Sequence, residues 1–404
     1  MYYVRMGELP PKRHTKLVGP RGELRYEQVS TTHGFDHRYA CLYHIHPPTQ
    51  VSKVIERGVR PIEVVPQPVK RHFHLQPAAL PASGDAISGR RPLLVNNDVT
   101  LSICRPTEPM DYFFRPGDRD EVIFVHLGKG TLETWQGNVP FGDGDYLVIP
   151  RGTTYRITFD ATAGPGGRAD AEAPRGRADG DALARMLVIR TPSMIRAPSR
   201  YLNPAGQLKL GAPFYERDLR PPSQLVTHDE RGGPWEIRVQ TGDQFTGYLF
   251  DFHPFDVVGW DGFCYPWAFN ILNYEPIMGR VHQPPPAQQT FQADRFVVCS
   301  FCPRALDDHP DAIKVPYVHS NVDSDEVLYY VNGNFGSRRG INTSSITLHP
   351  SGIPHGPHPG AIEASFQQTH TNELAVMLDT FAPLQLTPDA VACDQPDYPM
   401  SWKA

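Results

Sequence analysis

Short apolar stretches alternate with turn residues along most of this chain of 404 residues. β-Branched and aromatic runs occupy 39–46, 93–95, 100–103, 122–125, 146–149, 155–159, 185–189 and 236–240. Later runs lie at 295–300, 315–319, 326–331 and 345–349. Each is short enough for a strand and is bounded by Gly, Pro, Asn or Asp. No apolar period of 3.6 is sustained, so long helices are not expected. The pattern predicts an all-β fold. Between 161 and 180 it breaks down into Ala, Gly, Asp, Arg and Pro, with nothing to bury. A flexible surface insertion between the strands at 155–159 and 185–189 is predicted there. Residues 190–255 read as extended connections with a few strands. The Pro-containing last twenty residues read as a tail over the surface.

One pattern occurs twice. Asp118-Arg-Asp120-Glu121 is followed by six residues, Gly128, and later Pro150-Arg-Gly152-Thr-Thr-Tyr155. Asp323-Ser-Asp325-Glu326 is followed by six residues, Gly333, and later Pro350-Ser-Gly352-Ile-Pro-His355. Seven positions before the two glutamates stand Phe114 and His319. A fold is duplicated, and only the second copy keeps two histidines beside its glutamate.

Composition narrows the classes. A hydrophobic content of 40% supports a substantial core, and 42 Pro with 34 Gly fit a turn-rich β protein. The net charge of −5 and the lack of a basic stripe argue against a nucleic-acid partner. No run of 18 apolar residues suggests a membrane span, and no leader-like segment opens the chain. A cytoplasmic location with reduced thiols is expected. Cys299-x-x-Cys302 lies in an apolar run without a second pair, so it reads as buried strand rather than zinc site.

The second copy carries the chemistry. Asn321-Val-Asp-Ser-Asp325 is a turn signal that brings His319 and Glu326 together, and His355 returns from a later strand end. If Glu326 faces inward, so do Leu328 and Tyr330. Two imidazoles and one carboxylate, with open positions opposite, form the facial triad of mononuclear non-haem Fe(II) oxygenases. Each residue alone also reads as ordinary surface or core. The repeat decides, because the scaffold recurs without the histidines. His44-Ile-His46 has no carboxylate or third histidine nearby in sequence and is not expected to bind metal.

Glu-x6-Gly and Pro-x-Gly-x-x-His match the two halves of the cupin motif. The chain further resembles the homogentisate 1,2-dioxygenase family. The resemblance runs through Leu42-Tyr-His-Ile-His-Pro47, Phe255-Asp-Val-Val-Gly-Trp260 with Tyr265-Pro266, Val315-Pro-Tyr317-Val-His319-Ser-Asn321, and Leu348-His349 with His355-Gly-Pro357. It implies a bicupin: an N-terminal β-domain over 1–268 with a degenerate cupin, and a catalytic cupin over 269–404. It implies His319, Glu326 and His355 as ligands of Fe(II), and His282 as general base. Alone, His282 would read as structural. Tyr317, Phe335, Arg338, His349, His355 and His358 are the implied substrate-pocket residues. Trimers paired into hexamers are implied as well.

The chain departs from the family pattern. Seven steps, not six, separate the first histidine from the glutamate. Phe335 and Arg338 stand where the family has Tyr and Lys, and His358 where it usually has an acid. Arg338 keeps a positive charge in a planar fork. The expected reaction is O2-dependent cleavage of a carboxylated hydroquinone, with homogentisate to maleylacetoacetate the leading case. Gentisate or another hydroquinone is the alternative within that chemistry. A metal-binding or sugar-binding cupin without oxygenase activity, such as an isomerase, is the alternative outside it.

Overall fold

The computed structural model describes residues 1–160, 182–333 and 340–403. The insertion expected at 161–180, with Phe335 and Arg338, lies outside them. Strands dominate, and the two α-helices among the described residues, Ala361–Ser365 and Pro388–Ala392, are single turns. The runs at 100–103, 122–125, 146–149, 155–159 and 185–189 all fall within strands, as do those at 326–331 and 39–44. The run at 315–319 does not. There the chain is irregular, and only His319 pairs, in a two-bond bridge with His355. Residues 231–252, expected mostly as connections, form a long hairpin of Arg231–Thr241 and Gln244–Phe252.

Two sheets repeat one order. In the first, the strands run Trp267–Asn270, Asp145–Ile149, Asp120–Leu127, Arg185–Thr191, Thr100–Cys104 and Arg90–Val95. In the second they run Phe73–Leu75, Ile346–His349, Asp325–Asn332, Leu374–Thr380, Phe296–Phe301 and Gln289–Gln292. The glutamate strand has the same neighbours in both. These are the two cupin barrels. The halves interleave: Phe73–Leu75 pairs with Ile346–His349, and Gln385–Leu386 pairs with the strand Arg90–Val95. The expected boundary at 268 runs through the strand Trp267–Asn270. Each loan covers an edge that would otherwise present unpaired backbone groups.

Alternation along the glutamate strands sorts their side chains. Val122 and Phe124 join the main core, while Ile123 and Val125 join the interior of the first barrel. Val327, Tyr329 and Val331 join the main core, while Leu328 and Tyr330 turn into the second barrel with Cys299 and Met377. Glu326 therefore faces inward with Leu328 and Tyr330, as the period of two requires. The first interior is filled with Phe114, Leu147, Tyr155, Ile157 and Met186, each fully or almost fully buried. A buried side chain of this kind contributes about 1.5–3 kcal/mol. The last twenty residues are not a surface tail. Cys393 and Tyr398 are buried, and a 3-10 turn at Tyr398–Trp402 packs on the second barrel.

Candidate metal centre

The repeated motif residues build the same turn in both barrels. Asp120 accepts from the backbone N–H of Arg151 at 3.2 Å, and Asp325 accepts from that of Ser351 at 2.8 Å. Each aspartate ties the start of its glutamate strand to the Pro-x-Gly turn. Gly152 N–H donates to Pro116 at 2.7 Å, and Gly352 N–H to Asn321 at 2.6 Å. Both glycines lie at positive φ, +81° and +77°, where an L side chain is strained. Gly128 and Gly333 have φ of +127° and +105°, and a Cβ on Gly333 would sit 2.2 Å from the Asn372 carbonyl oxygen. The shared sequence pattern is thus the framework. The residues it positions differ.

In the second barrel the turn delivers His355 opposite His319, with reciprocal N–H···O bonds of 2.9 Å. One ligand atom each from His319, Glu326 and His355 lies within 4.8 Å of the others. Nε2 of His319 is 3.6 Å from Glu326 Oε2, and Nε2 of His355 is 3.2 Å from Oε1. Nδ1 of His319 donates to the Tyr317 carbonyl at 3.0 Å, and Nδ1 of His355 to that of Ile353 at 3.3 Å. A carbonyl only accepts, so the proton is on Nδ1 and each Nε2 turns its lone pair to the carboxylate. Nε2 of His355 is fully buried and makes no hydrogen bond among the described residues. A buried acceptor in that state, beside an anion and a second imidazole, fits a divalent cation. Burial alone would raise the Glu326 carboxyl, but the three imidazoles of His319, His349 and His355 against it hold it well below the usual range.

The first barrel solves the same position without metal. Phe114 and Tyr155 pair across the strands as His319 and His355 do. The Tyr155 hydroxyl donates to Glu121 Oε2 at 2.6 Å. Arg90 spans the carboxylate at 2.6 and 3.3 Å and reaches Tyr155 at 3.0 Å, with Arg190 at 3.1 Å from Oε1. Burial opposes the Glu121 charge, yet the two guanidiniums and the bond from Arg90 keep its pKa low. Arginine occupies the space a cation would.

The remaining expected residues divide. His349 Nδ1 donates to Glu326 Oε1 at 2.8 Å, so it touches a candidate ligand. Its ring stacks on His355 at 4.3 Å. His282 packs edge-on to Tyr317 at 5.2 Å, and Tyr317 to His319 at 5.9 Å, a path of rings from His282 to the triad. Burial, with Arg304 and His319 nearby, lowers the His282 pKa against the pull of Asp307. His282, Met278, Phe301, Arg304 and Lys314 line one cavity. His358 turns elsewhere, stacked on Trp402 at 4.4 Å with Nε2 2.7 Å from Ser401 Oγ. His44 and His46 both hold Asp256, at 2.7 and 3.1 Å, in a buried cluster apart from the triad. Cys299 and Cys302 are free, buried thiols, and Cys299 sits inside the barrel.

Sequence reasoning missed three parts of this neighbourhood. His72 lies edge-on to His349 and His355 at 5.6 and 6.2 Å, delivered by the strand lent from the N-terminal half. Trp402 donates Nε1–H to the Gly356 carbonyl at 3.2 Å, holding the turn after His355. Asp379 stands directly opposite Glu326 in the neighbouring strand. Burial and the Glu326 charge push its carboxyl well above the usual range. Aligning the repeats strand by strand would have paired Asp379-Thr380 with Arg190-Thr191.

Residues 275–404 match the family described as homogentisate 1,2-dioxygenase C-terminal. A protein of Saccharolobus solfataricus, named as a dioxygenase, is 40% identical over 405 positions, covering 100% of this chain and 99% of its own. Homogentisate 1,2-dioxygenases of Bradyrhizobium diazoefficiens and Nitrobacter hamburgensis are 24% and 26% identical over 73% and 70% of this chain. The chain spans 63% and 61% of their lengths. Among solved structures, a cupin 2 conserved barrel domain protein from Leptotrichia buccalis aligns over 82% of this chain and 98% of that one, at 10% identity and a TM-score of 0.28.

Proposed function

The chain belongs to the homogentisate 1,2-dioxygenase family, and on that premise we propose that it is an Fe(II)-dependent ring-cleaving dioxygenase for a carboxylated hydroquinone. Homogentisate, opened to maleylacetoacetate, is the leading substrate. One observation carries the reading. On a turn framework that both barrels share, Phe114 and Tyr155 fill one barrel and His319 and His355 the other, beside the same glutamate. Histidines that the framework does not need are there for something else.

His319, Glu326 and His355 would hold the metal on one face. Bound there, Fe(II) would supply Lewis acidity toward a phenol oxygen and one-electron chemistry toward O2. The protein's own residues do the rest. His282, kept neutral near pH 7 by its lowered pKa, accepts the phenol proton. Met278, Phe301, Arg304 and Lys314 line a small cavity together with His282. His349 keeps Glu326 ionised and oriented through its 2.8 Å bond. The side-chain carboxylate of the substrate is assigned to Arg338, whose fork can bind it bidentately.

The test is anaerobic Fe(II) loading followed by O2 uptake with a panel of hydroquinones. Stoichiometric uptake with homogentisate is expected. Arg338→Met should raise KM more for the carboxylated substrate than for its methyl ester. An iron-loaded protein that consumed no O2 with homogentisate, gentisate or related hydroquinones would leave only a metal-binding bicupin.

A further inference from the structure

Asp379 is a second carboxylate at the centre that neither the motifs nor the proposed mechanism uses. It lies on the strand Leu374–Thr380, directly across from Glu326, so both side chains project into the barrel. Its Oδ1 is buried and has no hydrogen-bond partner among the described residues. A carboxylate oxygen left unmet in a protein interior is costly, and like charges facing across a strand pair repel.

The first barrel resolves the same position the opposite way. There Glu121 faces Arg190 across the strands, and the guanidinium lies 3.1 Å from the carboxylate. Opposite charge within the chain compensates Glu121. In the second barrel the chain places a carboxyl group there instead. Three histidines serve Glu326, at 2.8, 3.2 and 3.6 Å. Among the described residues nothing meets Asp379 Oδ1. It is not in the group whose ligand atoms converge within 4.8 Å, so it is not counted among the metal ligands.

We propose that Asp379 is a positioning residue: its carboxylate accepts a hydrogen bond from a hydroxyl bound at the open face of the His319–Glu326–His355 centre, a water at rest and a substrate phenol in the complex. The proposal rests on the metal-centre reading and adds a determinant of how a hydroxylated ring is oriented there.

The experiment compares wild type with Asp379→Leu, Asp379→Asn and Asp379→Glu, all loaded anaerobically with Fe(II). Iron content is measured first, then homogentisate affinity by anaerobic calorimetric titration, then the electron paramagnetic resonance of the nitric oxide adduct with and without homogentisate. One iron per chain is expected in all four. Homogentisate affinity should fall about 10–100-fold in Asp379→Leu, the range for a hydrogen bond to a charged group, and recover in part in Asp379→Glu. The homogentisate-induced change in the nitrosyl signal should shrink in parallel. Unchanged affinity and signal in Asp379→Leu would overturn the proposal. So would loss of iron from both Asp379→Leu and Asp379→Asn, which would make Asp379 a ligand or a structural group. If wild type itself bound no iron, the metal-centre reading would fall, and this proposal with it.

Discussion

At the residue scale the two barrels act as each other's control. Phe114 and Tyr155 show that the fold tolerates non-ligands at both histidine positions. His319→Ala, Glu326→Ala and His355→Ala are therefore expected to lose stoichiometric iron while keeping the β circular dichroism of the wild type. Iron retained at full occupancy in two of the three would refute the ligand assignment. His282 is different, since it is not in the ligand group and packs on Tyr317, which packs on His319. His282→Asn should keep its iron and slow turnover by about 10²–10⁴-fold, the range for a lost general base. Wild-type turnover with full iron would remove His282 from that role. The triad was legible because its spacing recurs in a copy without ligands. Asp379 was not, because a single Asp at a strand end carries no motif and gains meaning only from its partner across the sheet.

At the element scale the sequence spoke through turns more clearly than through strands. Asp-x-Asp-Glu and Pro-x-Gly mark one device, an aspartate that receives the backbone N–H of the turn residue. Asp325 also accepts from Leu384 N–H at 2.8 Å, so it ties three segments together. Asp325→Ala strands those donors at a cost of about 1–3 kcal/mol each where they stay buried. It should lower the thermal midpoint and loosen iron binding without touching a ligand, whereas Asp120→Ala should lower the midpoint and leave the iron alone. Equal iron affinity in both variants would show that the turn does not set His355. The irregular stretch ending at His319 was misread as a strand from its alternation of Val, Pro and Tyr. Its shape is fixed by the bridge to His355, a long-range pairing that no local pattern records. The loan of Phe73–Leu75 to the second barrel was equally hidden, since strand exchange leaves no mark on either repeat.

At the scale of the whole molecule, the join between the halves is built around histidines held neutral. Burial drives the pKa of His126 down to about 3, with Arg185 adding to it, and His126 Nδ1 lies 2.6 Å from the hydroxyl of Tyr329 in the other barrel. Burial lowers His74, on the lent strand, to about 4 despite the pull of Asp394, and its Nε2 lies 2.9 Å from Ser345 Oγ. In the unfolded chain both would titrate near the ordinary value of about 6.5. As pH falls below that value the unfolded chain takes up protons first. The stability tied to these groups is therefore complete above about pH 6.5 and is lost as pH falls toward 4 and then 3, by at most about 1.4 kcal/mol per pH unit for each group. Measured on metal-free protein, so that ligand protonation plays no part through metal release, the thermal midpoint should drop steadily from pH 7 to pH 5. His126→Gln cannot take up that proton and should flatten the decline while lowering the midpoint at pH 7. A decline of unchanged slope in His126→Gln would show that the acid sensitivity arises elsewhere than at the contact between the two barrels.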